Sequence, residues 1–219
     1  MRNYAVIPTA NRPEVCLQAV ESIKDQVDVV HIIDNGTEGR LTSDDLPDNC
    51  LLVLLDREGL PPNLSKFWNI GLGLAAMMAN DSGQWNVAIV NDDAIVPPGW
   101  MEAVTTRMRE AGAAAGCSGS PQWREILHTR AEPVDLRTRM QGWAFVLAGE
   151  KGVRANEALE WWFGDDHLDW VSRQLGGTLM IPGFPVVNQF PNGQMTPELQ
   201  EQANRDAETF KAYWGERPW

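Results

Sequence analysis

The segment Val87-Ala88-Ile89-Val90-Asn91-Asp92-Asp93 constrains this chain more than any other: an uninterrupted apolar run ends in a small acidic cluster, and Pro97-Pro98 follows. A strand that is apolar at every position belongs inside a sheet covered on both faces. Its end therefore delivers two carboxylates to the rim where open α/β sheets bind their ligands. Carboxylates in that place hold a metal or a ribose. The bland alternative is a solvated Asp-Asp turn that only stops the strand.

The elements around this strand alternate. Tyr4-Ala5-Val6-Ile7 is β-prone and ends at Pro8-Thr9, and Pro13 then opens a segment with Val15, Ala19, Val20 and Ile23 at helical spacing. A second strand over residues 27–33 ends in Asp34-Asn35-Gly36-Thr37, where Asn-Gly enforces a turn and leaves Asp34 on the same rim as Asp92 and Asp93. A third strand spans residues 51–55; after Gly59-Leu60-Pro61-Pro62 a helix is expected from Asn63, with Leu64, Phe67, Trp68, Gly71, Leu72 and Ala75 on one face. Strand and helix in alternation predict a mainly parallel sheet with right-handed crossovers, of Rossmann type.

The second half is less regular. A helix is expected over residues 101–111, a strand or loop over 111–119 and a strand over 143–147. In Leu159-Glu160-Trp161-Trp162-Phe163-Gly164-Asp165-Asp166-His167-Leu168-Asp169-Trp170, Asp165 or Asp166 is expected to cap a helix that turns Leu168, Val171 and Leu175 inward, pairs Asp169 with Arg173 and ends at Gly176-Gly177. Late strands are expected at residues 178–181 and 186–187, and a polar, acidic helix over 197–214.

Composition excludes several functions. With 18 Lys and Arg against 30 Asp and Glu, the net charge of -12 argues against a nucleic-acid partner. No apolar run approaches the roughly 20 residues of a membrane span, so a cytoplasmic protein is expected, in the host cytoplasm if the source is viral. Cys16, Cys50 and Cys117 lack metal spacing and suit a reducing compartment. The 219 residues show no composition break, and one domain is expected.

Five segments, residues 6–12, 33–37, 63–72, 91–93 and 163–166, together resemble family 2 type glycosyltransferases of GT-A fold, in that family's order and over residues 4–188. A small soluble bacterial or phage-like member is the nearest description. The resemblance implies an α/β fold with a Rossmann-like, mainly parallel central sheet flanked by helices and a smaller mixed acceptor-side half. Residues 1–100 would form the nucleotide-sugar half, 101–190 the acceptor and catalytic half, and 191–219 a C-terminal helical tail. It further implies a metal-dependent, inverting transfer from a nucleotide sugar to a hydroxyl of a soluble protein or glycan.

Site roles follow from the same resemblance. Pro8, Thr9, Arg12, Asp34, Asn35, Lys66, Asn69, Asn91 and Asp92 would contact the donor, and Gly142 would let the backbone approach the donor sugar. A carboxylate can accept from the N3–H of uracil, so Asp34 favours a UDP or dTDP donor, with a UDP-sugar preferred. Asp93 would ligate Mn²⁺ or Mg²⁺, hard cations suited to oxygen ligands that an acidic rim needs before it can hold a pyrophosphate. Asp166 would be the base that deprotonates the acceptor, supported by Asp165. Trp143, Trp162 and His167 would fall on the acceptor side, with packing the stronger reading of His167. His31 lies in an apolar strand and His128 in an irregular region. Trp123, Trp143, Trp161 and Trp162 all fall in the acceptor half, where most would be core and one or two could line a sugar site.

Three positions depart from the family pattern. Asn91 replaces the first acid of the Asp-X-Asp motif, Leu168 stands where another acid follows the catalytic pair, and Asn188 stands where a late His would be a further metal ligand. Two other readings remain open at this level. A sugar nucleotidyltransferase shares the fold half, but Pro8-Thr9-Ala10-Asn11-Arg12 lacks the glycines that hold a triphosphate. A binding protein on the same fold would retain donor affinity without turnover. The Trp-rich second half could also supply a homodimer surface.

Overall fold

Every residue from Tyr4 to Thr9 is buried, which makes β1 (Arg2–Thr9) the spine of an eight-stranded sheet in the computed structural model. The structure describes residues 1–55, 62–80, 83–119, 122, 124–190 and 196–218. The turn expected at 59–61 and Trp123 lie outside the described residues. β1 pairs in parallel with β2 (Val29–Asp34) and β4 (Trp85–Val90), and β3 (Cys50–Leu54) extends the sheet in parallel beyond β2. The register sets Thr9 beside Asp34 and Asp34 beside Leu54. The carboxyl ends of these strands thus form one rim.

Past β4 the direction changes. β8 (Ala144–Ala148) runs antiparallel to both β4 and β6 (Ala115–Ser118), β9 (Thr178–Ile181) runs parallel to β6, and β7 (Ile126–His128) closes the sheet against β9. A two-stranded antiparallel ribbon joins β5 (Ala94–Ile95) to β10 (Val187–Asn188). The α/β class, mainly parallel on one side and mixed on the other, is as expected. His128 is a correction: it sits in β7 and not in an irregular region.

Helices cover both faces, which is why the central strands read as unbroken apolar runs. On one face Ala5, Ile7, Ala88 and Val90 pack with Cys16, Ala19, Val20 and Ile23 of α1 (Pro13–Ile23) and with Trp100, Val104 and Met108 of α3 (Trp100–Glu110). On the other, Tyr4, Val6, Val87 and Ile89 pack with Phe67, Trp68, Leu72 and Ala75 of α2 (Leu64–Ala79) and with Leu168 of α4 (Gly164–Gln174). A Cβ at Gly71 would strike the Val6 side chain, so α2 lies directly on β1. Asn63 caps α2 by accepting from Lys66 N–H at 2.8 Å.

Two expectations about α4 are corrected. Asp165 and Asp166 are not its cap; Phe163 occupies that position with a left-handed φ of 64°, and the two acids lie inside the first turn. Leu175 is 40% exposed, because the helix has ended by then and the chain turns outward. The Asp169–Arg173 pair forms as expected, bidentate at 2.6 and 3.0 Å and fully buried. The terminal helix α5 (Pro197–Trp214) is not a solvated tail, since it buries Asp206, Ala207 and Phe210. None of the described helices is long and apolar enough to cross a membrane.

His31 faces α2 from β2, stacked on Tyr4 with ring centroids 6.1 Å apart, and neither ring nitrogen has a hydrogen-bond partner. Burial lowers its pKa from 6.5 to about 4. A depressed histidine stabilises the fold fully above pH 6.5, and that contribution is lost as pH falls toward 4, by about 3 kcal/mol in all. Urea melts between pH 7 and 4 should therefore show a steep acid loss. In His31→Phe, which keeps the ring volume and removes the proton site, the loss should be smaller, with His167 supplying part of the remainder.

Candidate active site

The loops after β1 and β4 meet over Asp92. Its buried carboxylate accepts from Thr9 Oγ1 at 2.8 Å and from Arg12 Nη2, while Arg12 Nη1 stands 3.6 Å from Asp93 Oδ2. Parallel pairing of β1 with β4 forces this meeting, because the register Val6↔Ile89, carried forward, sets Thr9 level with Asp92. Burial pushes the Asp92 pKa up to about 6, and Arg12 and Thr9 act against it. Asp93 is the more open of the two acids, at 14% side-chain exposure.

The β2 end is fastened to the β1 end by side chains. Asp34 accepts from Gly36 N–H at 2.7 Å and Leu41 N–H at 3.2 Å, and Asn11 Oδ1 accepts from Thr37 and Glu38 N–H at 2.7 and 3.0 Å. Asn11 holds a left-handed φ of 58° to do so, a conformation Asn tolerates better than most residues. A Cβ on Gly36 would fall 2.9 Å from both Asn11 and Asp34, so the turn needs glycine there.

A second acidic centre opens α4. Asp166 is buried and accepts from Arg139 Nη1 at 2.6 Å; Asp165 precedes it in the same turn, and Asp169 lies one turn on. Burial raises the pKa of Asp165, with Arg139 opposing. It raises that of Asp166 well above the usual carboxylate range, with the Asp165 charge adding to the rise and Arg139 again opposing it. The two centres adjoin. Gly142 backs onto the Asp165 carboxyl so closely that a Cβ would collide with it, and the next residue, Trp143, accepts from Asn91 N–H at 2.9 Å.

The same chain path recurs in solved structures. A structure of S. aureus TarS residues 1-349 superposes with a TM-score of 0.58 at 14% identity, over 98% of this chain and 72% of that one. One of GalNAc-T7 with UDP, GalNAc and Mn²⁺ gives 0.64 at 13% identity, over 98% of this chain and 50% of that one. This chain has the GT-A glycosyltransferase fold. TarS 1-349 in complex with UDP matches at 0.60 and 12% identity, again over 98% and 72% of the two chains. The chain thus spans half the length of the GalNAc-T7 chain. No family model and no curated protein sequence matches it.

Within the GT-A fold, the expected residues divide into two groups. The structure gathers Pro8, Thr9, Arg12, Asp34, Asn35, Asn91, Asp92 and Asp93 on the rim of the parallel half, with Gly142 and Trp143 between them and Asp165-Asp166. The β5–β10 ribbon brings Asn188 opposite Ala94, and Gln189 N–H donates to Asp93 O at 2.9 Å, so the late strand does reach Asp93. Lys66 and Asn69 stand elsewhere in character. Lys66 is exposed on the first turn of α2, and Asn69 binds Ala155 O and Glu157 Oε1 at 3.0 Å and accepts from Ala155 N–H at 2.9 Å, fastening the loop that leads to α4.

His167 takes the packing role. Its Nδ1 accepts from Trp214 Nε1 at 3.2 Å, Tyr213 and Trp214 flank its ring, and burial lowers its pKa to about 4. Trp143 and Trp162 keep buried indole N–H groups without partners, and Asn91 Oδ1 is likewise buried and unpartnered. Among the described residues no three His, Cys, Asp or Glu side chains converge to hold a metal by themselves. Hard oxygens are nevertheless present: the Asp93 carboxylate, with the unpartnered Asn91 Oδ1 two residues before it, fits a Mg²⁺ or Mn²⁺ shared with substrate phosphates and water, while Asn188 Oδ1 accepts from Phe190 N–H at 3.0 Å.

Sequence reading missed Arg139, Asn11 and Asp206. Only Asn11 left a signal, as a turn-prone residue just before Arg12 and Pro13. Arg139 sets the charge around the acid pair, and its removal is directly testable. In Arg139→Gln the Asp166 carboxyl should titrate at higher pH than in the native protein, because burial and the Asp165 charge then act without the opposing cation. Side-chain ¹³C NMR of labelled aspartate would read the shift.

Proposed function

We propose that this chain is a glycosyltransferase that moves a sugar from a UDP-sugar to an acceptor hydroxyl with inversion. The observation that carries the reading is the adjacency of two unlike acidic centres on a GT-A rim. One is an Arg12-paired cluster at the ends of β1 and β4, and the other the Asp165-Asp166 pair opening α4, whose proton affinity is raised, with Gly142-Trp143 between them. The neighbours solved with UDP, one of them also with Mn²⁺, support the donor class.

The residues divide the work. Thr9, Arg12 and Asp92 hold the ribose side of the donor, and Asp34, whose oxygens keep free lone pairs beside their two backbone bonds, accepts from the uracil N3–H. Asp93, with Asn188 beside it, would hold Mg²⁺ or Mn²⁺, which supplies positive charge at the pyrophosphate. Asp166 takes the acceptor's proton as the acceptor oxygen bonds to the anomeric carbon. The bond from that carbon to the phosphate oxygen breaks with its electrons leaving on UDP. A carboxyl whose pKa is raised makes the stronger base for this, and burial raises it here, with the Asp165 charge adding and Arg139 opposing.

Two substitutions separate binding from chemistry. Calorimetric titration should show UDP binding that depends on Mn²⁺, with GDP weaker, and Asp93→Ala should remove the metal dependence. Asp166→Asn should bind UDP normally and lose transfer by about 100-fold or more. Normal turnover in Asp166→Asn overturns the base. Failure of UDP to bind with metal present overturns the donor, and pyrophosphate release from UTP and a sugar phosphate would establish nucleotidyl transfer instead.

A further inference from the structure

The loop that leads into the acid pair is held by a carboxylate from the far end of the described chain. Asp206, 1% exposed on α5, accepts from three successive backbone amides: Glu160 N–H at 3.3 Å, and Trp161 and Trp162 N–H at 2.9 and 2.8 Å. Gln202 Nε2 donates to it as well, at 2.8 Å. Three consecutive N–H groups turned toward one point form a concave anion site of the kind that usually binds a phosphate. Here an internal carboxylate fills it.

We propose that Asp206 is a positioning residue: by holding the amides of Glu160, Trp161 and Trp162 it fixes the left-handed turn at Phe163 and so the placement of Asp165 and Asp166. The inference rests on reading that pair as the catalytic acids. The chain of contacts is short. Phe163 follows the last held amide, adopts a φ of 64°, and gives its carbonyl to His167 N–H at 2.9 Å as the first hydrogen bond of α4. A left-handed non-glycine residue is retained only where its surroundings over-determine it. Asp206 fixes the backbone on one side of it, and Phe210 lies 5.9 Å from the Phe163 ring.

The same helix also touches the other side of the pair, where Trp214 Nε1 donates to His167 Nδ1. Leu159, Trp170 and Phe210 form a small buried cluster between the two contacts. The acid pair therefore lies between two attachments to α5, and neither attachment includes a donor-side residue of β1, β2 or β4. Loss of Asp206 should loosen the first turn of α4 and admit water to Asp166 while leaving the UDP site intact. The groups facing Asp166 that would then act on it are Asp165, Asp169 and Arg139.

The test compares Asp206→Ala with Asp206→Asn in the full chain. The amide oxygen of Asn can keep the two short bonds to Trp161 and Trp162, whereas Ala keeps none. In Asp206→Ala the Asp166 carboxyl, assigned in ¹³C spectra with the help of Asp166→Asn, should titrate lower by about one pH unit or more. Amide exchange should quicken across residues 160–166, and UDP affinity with Mn²⁺ should stay within about threefold of the native value. Asp206→Asn should recover most of the native titration. An unchanged Asp166 midpoint in Asp206→Ala, a parallel loss of UDP affinity, or Asp206→Asn as impaired as Asp206→Ala would each overturn the proposal. If Asp206→Ala does not fold, Asp206→Ser, which keeps one acceptor oxygen, carries the same comparison. Because the titration needs neither donor nor acceptor, it succeeds or fails apart from the transferase reading.

Discussion

Two adjacent carboxylates at the start of one helix, Asp166 buried and Asp165 half-buried, form the constraint on which the second half of the molecule depends. Asp165 and Asp166 cannot both be comfortably ionised there, since burial raises the pKa of each and the Asp165 charge adds to the rise at Asp166. The helix start offers partial positive charge, and Arg139 adds a full one at 2.6 Å from Asp166. Asp169 would worsen the repulsion, but it is bound bidentately by Arg173, itself fixed by the carbonyls of Arg130 and Glu132 at 3.3 and 2.8 Å. The irregular segment before β8 thus supplies or anchors both cations.

The parallel half answers a simpler demand. Its central strands β1, β2 and β4 are buried on both faces, so their apolar runs fix the layers, and their common direction fixes where their polar ends meet. The contrast explains what could be read in advance. Residues 87–93 announce a central strand with acids at its rim because burial and position are both local properties there. Asp169 and Arg173 announce themselves by helical spacing. β7 and β5 do not, since strands of two or three residues carry too little periodicity to detect, and of the ribbon only β10 is foreshadowed, by the strand expected at residues 186–187.

The missed site residues have a different cause. Arg139 meets Asp166 across 27 positions and Asp206 meets Trp161 across 45, and no local pattern records such a pairing. Both also look like surface residues, because charged side chains are seldom fully buried unless paired. In α5 the polar composition dominates the eye, while the narrow stripe of Asp206, Ala207 and Phe210 that docks it is only three residues wide. The positions of Lys66 and Asn69 show the converse: a family pattern located them, but the hydrogen bonds of Asn69 run to the loop at 155–157 and show a clasp between the halves.

The separation between β4 and α5 along the chain sets an order of assembly. The strands that carry the first acidic centre are complete by residue 90, whereas Asp206 leaves the ribosome on the order of 10 s later at ordinary rates of synthesis. Until then the three amides of residues 160–162 have no anion to gather them, and the left-handed turn at Phe163 lacks one of its supports. A nascent chain can accordingly form the rim that carries Asp92 and Asp93 well before Asp165 and Asp166 are set, which delays the second acidic centre until nearly all of the described chain has emerged.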